Sequence, residues 1–571
     1  MKYRWLPVPP QPLLTDRLAA ELQASSLLAQ CLVNRGLEEV SGARAFLAPR
    51  LRLLTDPFRL PDMAEAVERL FGARERGEAV MIFGDYDVDG VTSTALLSEA
   101  LGALGWSVRQ YLPNRFDEGY GLSLGAAKSC LERERVSLLL AVDCGSTAFE
   151  TIQWLAGQGT DVLVLDHHQV SAPPPPAAAL VNPRRLTGPG LPFSELCSVG
   201  LAFKLVHALV KEGRRRGLVE AESYDLRPLL DLVALGTIAD LVPLTGENRI
   251  LVATGLACLR RTPRPGLQAL KSVAQTGAEI GVYEVGFQLA PRLNAAGRLE
   301  TAASALTLLR TSHRAEADAL AHQLDTQNRE RQRIERAIAE QVIGAVRAKF
   351  DPARDFVIVE GQVLWHVGVV GIVASRVLRE FHRPTLILGG EADEWRGSGR
   401  SIEGFDLAAA LRECDDLLVR HGGHAMAAGL SVRPGQIDAL RARLNELARG
   451  QLSAEQLQPA LRLDAEVRLA DVTLERVAEL AQLQPVGQGN PPVQLAVRGV
   501  RLRSPARRIG REQQHAKFSL GEGATHAEAV WWGCGGAELP DGSFDLACVP
   551  QIDTYNGRRT VQLRVLDWKP A

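Results

Sequence analysis

The sequence predicts an α/β fold: two α/β units joined by a long helix and followed by a small β-barrel. Apolar runs alternate with helical patterns from about residue 64 to 245, which indicates a parallel sheet covered by helices on both faces. Residues 313–350 contain no proline and carry apolar positions at helical spacing. Beyond residue 453 the pattern changes to short alternating strands, which is typical of a barrel.

Five segments follow from these patterns. We predict an N-terminal segment (1–63), a first unit with a parallel sheet (64–312), a connecting helix (313–350), a second α/β unit (351–452) and a C-terminal barrel (453–571). In the first unit, helices are expected from Val91, Ser123 and Phe149. They separate four apolar runs, which we interpret as strands: AVMIFGDYD, WSVRQYLP, VSLLLAVDCG and TDVLVLDHH.

Composition narrows the class of protein. The formal charge is −2, with 65 basic and 67 acidic residues, so a polyanion would have to be recognised by a local surface. Eight cysteines without a CxxC pair argue against a zinc module or a disulfide framework. MKYRWLPVPP at the start lacks a signal core, and no run reaches the roughly 18 apolar residues of a membrane span. We therefore expect a cytoplasmic protein without a membrane segment.

Acids and histidines follow the predicted strands of the first unit. We expect four strand ends to bring eight side chains to one edge of the sheet: Asp85, Asp87, Asp89, Asp143, Asp166, His167, His168 and Asp240. One acid at a strand end is usually a cap or turn residue, and a lone buried histidine is usually structural, but four successive ends are hard to ascribe to coincidence. Carboxylates this crowded stay ionised only beside a cation. The pattern therefore favours a dinuclear metal centre.

The types of ligand indicate the metal and its chemistry. All-oxygen sites favour Mg²⁺, whereas mixed carboxylate and imidazole ligation shifts the preference toward Mn²⁺. Two such ions about 3.5 to 4 Å apart can activate a water and stabilise the leaving oxygen of a phosphoester. We therefore expect a phosphoesterase that holds two Mn²⁺ or Mg²⁺ ions.

These motifs carry a family resemblance. DYDVDG, AVDCG, LDHH and GTIADLVPL, in this order and spacing, resemble the DHH phosphoesterase superfamily. Further stretches are similar to the bacterial single-stranded-DNA-specific exonucleases within it: YLPNRFDEGYGL, PRLNAAGRLETAASALTLL, WHVGVVGIVASR, GSGRS, HGGHAMAAG and LQPVGQGNPP. The resemblance implies a processive hydrolase that enters single-stranded DNA at a 5′ end, releases mononucleotides and requires Mn²⁺ or Mg²⁺. It also implies a monomer acting in DNA recombination and repair, with a single-strand-binding protein and a helicase as partners.

The resemblance assigns roles to the acids and histidines. It implies five metal ligands, with Asp143 as the bridging one: Asp87, Asp89, Asp143, His167 and Asp240. His168 is expected to face the scissile phosphate or the leaving oxygen, and Asp166 to orient a histidine. Phe83 stands where many members of the superfamily have a histidine, so Asp85 is a possible substitute ligand.

The second unit resembles the DHHA1 domain that accompanies such a catalytic core. We expect substrate contacts from eight residues, two of them in the stretch before the connecting helix: Asn294, Arg298, His366, Arg376, Ser398, Arg400, Gly423 and His424. Glycine N–H groups beside histidine and arginine suit phosphate, with Ser401 offering a further hydroxyl, but the HGGH stretch also fits a tight turn without a ligand. His366 and Arg376 flank a predicted helix start. Asn294 and Arg298, four apart on one helical face, reach the nucleotide or brace the connecting helix.

The barrel carries an arginine-rich stretch. Six arginines without an acid lie between residues 498 and 511, and three more follow: Arg498, Arg501, Arg503, Arg507, Arg508, Arg511, Arg558, Arg559 and Arg564. They are interleaved with Phe518, Trp531, Trp532 and Tyr555. A solvated face is one interpretation, and a basic groove with stacking platforms for a single strand is the other. The resemblance also implies an OB-fold here, which favours the groove.

A motor protein would need a GxxxxGK phosphate cradle, and the chain has no Gly-Lys dipeptide. Three other functions remain to be compared. A phosphoesterase for short oligonucleotides or small phosphate compounds would share the metal ligands without needing the arginine-rich barrel. A non-catalytic scaffold would not need the acids. We favour the exonuclease, with the strand threaded between the two α/β units through a gap too narrow for a duplex.

Overall fold

The computed structural model describes residues 3–114, 117–119, 121–186, 191–390, 393–554 and 557–571. It confirms the predicted fold class, with a parallel sheet, a long helix, a second α/β unit and a C-terminal barrel. Within these residues, no helix is both long enough and apolar enough to cross a membrane.

The N-terminal segment consists of one strand and three helices: β1 (Arg4–Pro7), α1 (Pro12–Leu22), α2 (Ser26–Val33) and α3 (Val40–Leu47). β1 pairs in parallel with Ala460–Leu463, near the start of the barrel. Leu18, Leu28, Leu32 and Ala43 are buried in the same hydrophobic core as the barrel strands. The first and last parts of the chain therefore fold as one body, which the sequence pattern did not reveal.

The first unit contains a five-stranded sheet in which all neighbouring strands are parallel, in the order β3-β2-β4-β5-β6. Its elements are α4 (Met63–Arg76), β2 (Val80–Gly84), α5 (Val88–Ala103), β3 (Val108–Tyr111), α6 (Leu124–Arg133), β4 (Leu138–Val142), α7 (Phe149–Gly157), β5 (Asp161–Leu165) and β6 (Ala179–Val181). Alternate residues of a strand point to opposite faces. Ile82 and Leu140 accordingly pack in one core, and Phe83 and Ala141 in the other.

Eight helices complete the first unit: α8 (Ser198–Arg215), α9 (Val219–Glu222), α10 (Leu230–Ala239), α11 (Gly246–Arg260), α12 (Pro265–Ala274), α13 (Val282–Glu284), α14 (Ala290–Leu299) and α15 (Ala303–Arg310). A π-helical turn, Val285–Leu289, joins α13 to α14. The prediction that Asp240 follows a strand was wrong, since it follows α10. Leu230–Ile238 is buried on all sides, and a helix buried all round has the same uninterrupted apolar sequence as a buried strand.

The connecting helix α16 runs from Arg314 to Lys349, a length of 36 residues or about 54 Å. Its first half packs in the core of the first unit through Ala321 and Leu324, and its second half packs in the second unit through Ile338 and Val342. The predicted helix is confirmed, and it belongs to both cores.

The second unit is a mixed five-stranded sheet in the order β10-β11-β9-β8-β7, in which only β7 and β8 are parallel neighbours. Its elements are β7 (Ile358–Val363), α17 (Val370–Phe381), β8 (Thr385–Gly390), β9 (Trp395–Arg400), α18 (Leu407–Arg412), β10 (Leu418–His424), β11 (Ala427–Val432) and α19 (Ile437–Gln451).

The C-terminal part forms a closed barrel. Its elements are β12 (Ala460–Leu463), β13 (Ala465–Val467), α20 (Leu474–Leu480), β14 (Leu495–Ile509), β15 (His515–Glu522), β16 (Thr525–Trp531), β17 (Ser543–Asp553) and β18 (Thr560–Pro570). The sheet order is β13-β14-β15-β16-β18-β17, and β14 also pairs with β17. Because this last pairing closes the ring of five long strands, the barrel has the architecture expected for an OB-fold.

Candidate metal centre and nucleic-acid interface

Four ligand atoms meet beyond the strands of the first unit. Nε2 of His167 lies 3.5 Å from Oδ1 of Asp143, 3.5 Å from Oδ2 of Asp240 and 3.9 Å from Oδ2 of Asp89. Nε2 of His167 and Oδ2 of Asp240 are shielded from solvent and have no hydrogen-bond partner among the described residues. Mixed carboxylate and imidazole donors at this spacing suit a divalent transition metal.

A second group of ligand atoms lies beside the first. Oxygens of Asp85, Asp87 and Asp143 lie within 4.8 Å of one another. Asp143 belongs to both groups. It follows β4 with a left-handed backbone, φ 65°, which is uncommon for a residue other than glycine and is often found at functional sites.

The loop before α5 presents two of the acids. Oδ1 of Asp87 accepts hydrogen bonds from the N–H groups of Asp89 and Gly90, at 2.9 and 3.1 Å, so it caps α5. The helix therefore begins at Val88, not at Val91 as predicted. A methyl group at Gly90 would lie 2.5 Å from the carbonyl oxygen of Asp85, so only glycine fits there.

The N-terminus of α8 holds the other side of the site, and its residues were not among those predicted from the sequence. The N–H groups of Ser198 and Val199 donate to the two oxygens of Asp89, at 2.7 and 2.8 Å. The hydroxyl of Ser198 donates to Oδ1 of Asp143 at 2.9 Å. Sγ of Cys197 lies within reach of Asp89 and Asp240 as a further possible ligand atom. The stretch LCSVG opens an apolar helix, and that helix start was the one available signal.

The pKa values of the acids indicate that the site needs cations. Burial, and then the charge of Asp87, raises the pKa of Asp89 to about 7. Burial, and then the charge of Asp89, raises the pKa of Asp240 to about 9. The pKa of Asp143 lies well above its usual value for the same two kinds of reason. Burial, and then the charge of His168, lowers the pKa of His167 to about 4, which leaves a neutral imidazole able to ligate. The donors fit divalent ions, which would keep the carboxylates ionised.

His168 pairs with Asp166 beside the metal centre, and a ring nitrogen of His168 lies within 4.8 Å of ligand atoms of Asp143 and His167. Nδ1 of His168 lies 2.7 Å from Oδ1 of Asp166, and the backbone N–H of Ser146 donates to Oδ2 of Asp166 at 3.0 Å. Burial alone would lower the pKa of His168, but the hydrogen bond and charge of Asp166 outweigh it and raise the pKa to about 9. Burial opposes ionisation of Asp166, yet the bond and charge of His168 hold its pKa well below the usual range. Asp166 therefore orients His168 and not the candidate ligand His167.

Phe83 is fully buried in the core of the first unit, and its ring stacks on Tyr111 with centroids 5.4 Å apart. It offers no ligand atom, whereas Asp85 stands with Asp87 and Asp143.

α14 packs against the loop that carries Asp87 and Asp89. Oδ1 of Asn294 accepts a hydrogen bond from the N–H of Val88 at 3.1 Å. A methyl group at Gly297 would lie 2.8 Å from the carbonyl oxygen of Tyr86. Arg298 donates from Nη1 to the carbonyl of Gly368 in the second unit, at 3.1 Å. Asn294 therefore supports the loop of the acids, and Arg298 joins the two units.

In the second unit, the structure brings some predicted residues together. Ser398 and Arg400 lie on β9, and Nη1 of Arg400 donates to Oγ of Ser398 at 2.8 Å. A methyl group at Gly371, in the first turn of α17, would lie 3.0 Å from that Oγ. His366 accepts a hydrogen bond from the N–H of Gly368 at 3.1 Å.

Arg376 lies in the second turn of α17, which begins at Val370, so His366 and Arg376 stand on either side of the helix start as predicted. Its Nε is 2.6 Å from the buried carboxylate of Glu335 on the connecting helix. This ion pair joins two helices.

A cavity of about 620 Å³ opens over the same sheet. Ser398 and Gly423 line it together with three residues that the sequence analysis did not single out: Arg396, Arg420 and His421. Gly423 and His424 end β10, and the backbone of Gly423 has φ 137°. A methyl group at Gly423 would lie 2.5 Å from the carbonyl of Ala427 across the hairpin. His424 is exposed, whereas Ser401 is buried and donates to the carbonyl of Phe405.

The arginines of the barrel divide into two groups. Arg501, Arg503, Arg507 and Arg511 are exposed, as are Arg558 and Arg559, while Arg564 is half-buried. Arg498 is paired with Glu466 and Asp545, so its charge is neutralised. Arg508 donates to the carbonyls of Gly535 and Ala537. Fewer arginines of this stretch are therefore available to nucleic acid than the sequence suggests.

The aromatic residues of the barrel also divide. Phe518 is buried in the core, so its proposed role as a stacking platform was wrong. Trp531 is half-buried against the same core, whereas Trp532 is 53% exposed with its ring 4.8 Å from His515. Alternation along β16 accounts for the difference, because Trp531 ends the strand on its inner face. Tyr555 lies outside the described residues, as do Arg115, Phe116 and Tyr120 of the motif YLPNRFDEGYGL.

Comparison with protein families matches all three units. Residues 79–237 match the DHH family, N-terminal domain; residues 355–450 match the DHHA1 domain; residues 463–567 match the RecJ OB domain.

Comparison with individual proteins gives the same result. The single-stranded-DNA-specific exonuclease RecJ of Bacillus subtilis is 38% identical, over 99% of this chain and 71% of that protein. The crystal structure of RecJ in complex with Mn²⁺ from Thermus thermophilus is 31% identical, with a TM-score of 0.85, over all of this chain and 80% of that one. The structure with Mg²⁺ from the same source is 30% identical, with a TM-score of 0.78, over all of this chain and 79% of that one. The chain belongs to the RecJ family.

Proposed function

We propose that the protein is a metal-dependent exonuclease that hydrolyses single-stranded DNA from the 5′ end to mononucleotides, in DNA recombination and repair. One observation carries the proposal. In a chain of the RecJ family, Nε2 of His167 lies within 3.9 Å of a carboxylate oxygen of each of Asp89, Asp143 and Asp240. The relatives are named single-stranded-DNA-specific exonucleases, and two related structures contain Mn²⁺ or Mg²⁺.

Five residues would hold two ions: Asp87, Asp89, Asp143, His167 and Asp240. Asp143 would be shared between the ions, since its carboxylate belongs to both groups of ligand atoms. Asp85 would supply the oxygen that compensates for Phe83. Divalent ions held here would neutralise the carboxylates, activate a water and stabilise the leaving 3′ oxygen. The N-terminus of α8 keeps Asp89 oriented through two backbone N–H groups.

His168 would hold a proton next to the scissile phosphate. Its Nδ1 is engaged by Asp166, so Nε2 would be the donor, and the ring lies beside the ligand atoms of Asp143 and His167. In the metal-free protein, burial lowers the pKa of His168, but the hydrogen bond and charge of Asp166 raise it to about 9, which favours the protonated imidazole. A positively charged donor stabilises a phosphate oxygen or protonates a leaving oxygen.

Substrate binding would involve residues of both units. Asn294 and Arg298 lie between the acids and the second unit, and Ser398, Arg400, Gly423, His424 and His366 would contact phosphates. Arg376 would act through Glu335 on the connecting helix. The exposed arginines Arg501, Arg503 and Arg507 would track the strand on the barrel, with Arg508 and Trp531 supporting this surface from within.

The cellular setting follows from the proposed reaction. All eight cysteines are free, which suits a reducing cytoplasm. The resemblance supports a monomer that receives single strands from a helicase and a single-strand-binding protein.

The test offers single strands labelled at either end, with and without a duplex block at the 5′ end, in Mn²⁺. We expect mononucleotides from the free 5′ end, none from the blocked end, and no product after treatment with a chelator. Digestion that starts at the 3′ end, or that continues at the same rate without metal, would contradict the proposal. Turnover of dinucleotides alone would favour the small-substrate phosphoesterase.

A further inference from the structure

Two aromatic side chains near the metal centre have no partner that buries them. Among the tyrosine, phenylalanine and tryptophan side chains that the structure describes, three are more than half exposed: Tyr283, Phe287 and Trp532. Tyr283 is 62% and Phe287 69% exposed, and the two rings stack with centroids 5.0 Å apart and planes inclined by 28°. Single exposed apolar residues are common, but two stacked exposed rings form a flat apolar surface.

The backbone fixes this pair in place. Tyr283 lies in α13, and Phe287 lies in the π-helical turn that joins α13 to α14. Val285 and Leu289, on either side of Phe287, are completely buried, so the turn is anchored while Phe287 points away from the core. Single π-helical turns often occur at functional sites.

The pair adjoins the loop that carries a metal ligand. A methyl group at Gly286 would lie 3.9 Å from Cγ2 of Ile238, two residues before Asp240. Leu241, directly after Asp240, is 72% exposed and has a left-handed backbone, φ 61°. The same helical segment continues to Asn294, about 10 Å further along the axis.

The other end of the pair adjoins the chain that enters the barrel. A methyl group at Gly487 would lie 3.7 Å from Cγ1 of Val282 and 2.7 Å from Cδ1 of Leu244. The N–H of Leu244 donates to the carbonyl of Gln488 at 2.7 Å. The helical segment that carries Tyr283 and Phe287 therefore lies against both the chain that enters the barrel and the helix that ends before Asp240.

We infer that Tyr283 and Phe287 form a stacking platform for nucleobases of the single strand, on its way from the barrel to the metal centre. The inference rests on the proposed function and adds a subsite to it. Every base has a π-face, so stacking binds DNA without regard to sequence, as an enzyme that degrades any strand requires. The two rings lie on the same helical segment as Asn294 and Arg298, which we expect to contact DNA. This position favours the DNA strand over a protein partner as the occupant of the platform.

The test measures binding of strands that lack a base at one position. The full chain carries Asp143→Ala so that the strand is not digested, and the abasic position is moved one nucleotide at a time along a strand labelled at the 3′ end. We expect one or two positions at which the missing base weakens binding roughly 5- to 100-fold. In Tyr283→Ala/Phe287→Ala, and in Phe287→Leu, that loss should disappear at the same positions, because the base has lost its partner.

Two controls make the result specific. Phe287→Trp should keep the loss, and Val219→Ala, which changes another exposed apolar residue of the first unit, should leave the abasic profile unchanged. The inference is overturned if the abasic profile is the same with and without the two rings while the unaltered protein digests single strands. If the unaltered protein does not digest them, the proposed function fails first, and the inference fails with it.

Discussion

At the scale of residues, Asp143 combines three constraints. It ends a buried strand, it adopts a left-handed backbone, and its carboxylate faces both Nε2 of His167 and the hydroxyl of Ser198. Its raised pKa is a consequence of placing several acids in a buried site. This crowding opposes ionisation of the acids when no cation is present, and divalent cations would relieve it.

Asp143→Ala should abolish turnover and leave binding of single strands largely intact. We expect the rate to fall by more than about 100-fold, because even the outer partners of metal ligands contribute 10- to 100-fold. Electron paramagnetic resonance titration should show fewer Mn²⁺ ions bound, and Glu65→Ala, at an exposed acid of the same unit, should bind the normal number. Normal release of nucleotides by Asp143→Ala would show that the ligand assignment is wrong.

The pair of His168 and Asp166 has a pH signature. The pKa of His168 is raised above its ordinary value of 6.5 and that of Asp166 is lowered below its ordinary value of 3.8. The pair therefore stabilises the metal-free fold most between these two values, and this stabilisation is lost as the pH rises toward about 9.

Asp166→Asn removes the charge that holds the proton on His168. We expect the pKa of His168 to fall well below about 9, since burial lowers it and the hydrogen bond and charge of Asp166 are the largest causes that raise it. Titration of the imidazole signal by NMR in metal-free protein measures it, with His168→Gln to identify the signal. An unchanged pKa in Asp166→Asn would rule out this pairing.

At the scale of elements, the first turn of α11 fastens three parts of the chain. Asn248 donates to the carbonyls of Glu195 and Pro243, which flank the start of α8 and the loop after Asp240. All five N–H donors of buried Arg249 bond to backbone carbonyls, one at Phe46 and the others at residues 482–485. This turn connects the metal-binding loops to the segment that enters the barrel.

Arg249→Met should loosen this connection. The substitution fills a similar volume but leaves several buried carbonyls without donors, and we expect a loss on the order of 3 kcal/mol in the free energy of unfolding. Urea unfolding measures the loss, and hydrogen exchange should show faster exchange at residues 482–490. Arg333→Met, at an arginine that is 75% exposed on the connecting helix, should change stability by less than about 0.5 kcal/mol. Equal stability of the two variants would contradict the role of Arg249.

At the scale of the whole molecule, the core of the barrel contains residues from both ends of the chain. Leu18, Leu28 and Leu32 of the N-terminal helices share its core, and β1 pairs with β12. The exposed arginines of β14 thereby belong to the same body as the N-terminal helices. Hydrogen bonds of Asn248 and Arg249 in α11 join this body to the loops of the metal centre.

Neutralising Arg501, Arg503 and Arg507 together should weaken binding of single strands and flatten its dependence on salt. Each phosphate contact contributes about 0.7 to the slope of log K against log salt, so three lost contacts should reduce the slope by about 2. Anisotropy titrations over a range of salt concentrations measure it. A control that neutralises Arg215, Arg227 and Arg333, which are exposed and paired with acids, should keep the slope. An unchanged slope in the barrel variant would contradict the groove.

Much of the site could be predicted because parallel strands end at one edge of a sheet. Asp87, Asp143 and His167 follow β2, β4 and β5, so strand order alone brings them near each other. Asp240 was predicted to lie at the site on the wrong assumption that it follows a strand. A fully buried apolar helix such as α10 has the same sequence pattern as a buried strand. Cys197 and Ser198 were missed because a helix N-terminus becomes a ligand-orienting group only when folding places it against an acid.

The sequence by itself determined the order of the units, the strand-end acids and the long helix, because alternation and helical spacing are local properties that solvent exposure imposes on neighbouring residues. Only the tertiary structure decided which arginines are free, which aromatic rings are exposed, and that the N-terminal helices complete the barrel. Those outcomes depend on contacts between residues far apart in the chain. No local pattern records such contacts, because many arrangements of the same elements satisfy the same hydrophobic periodicity.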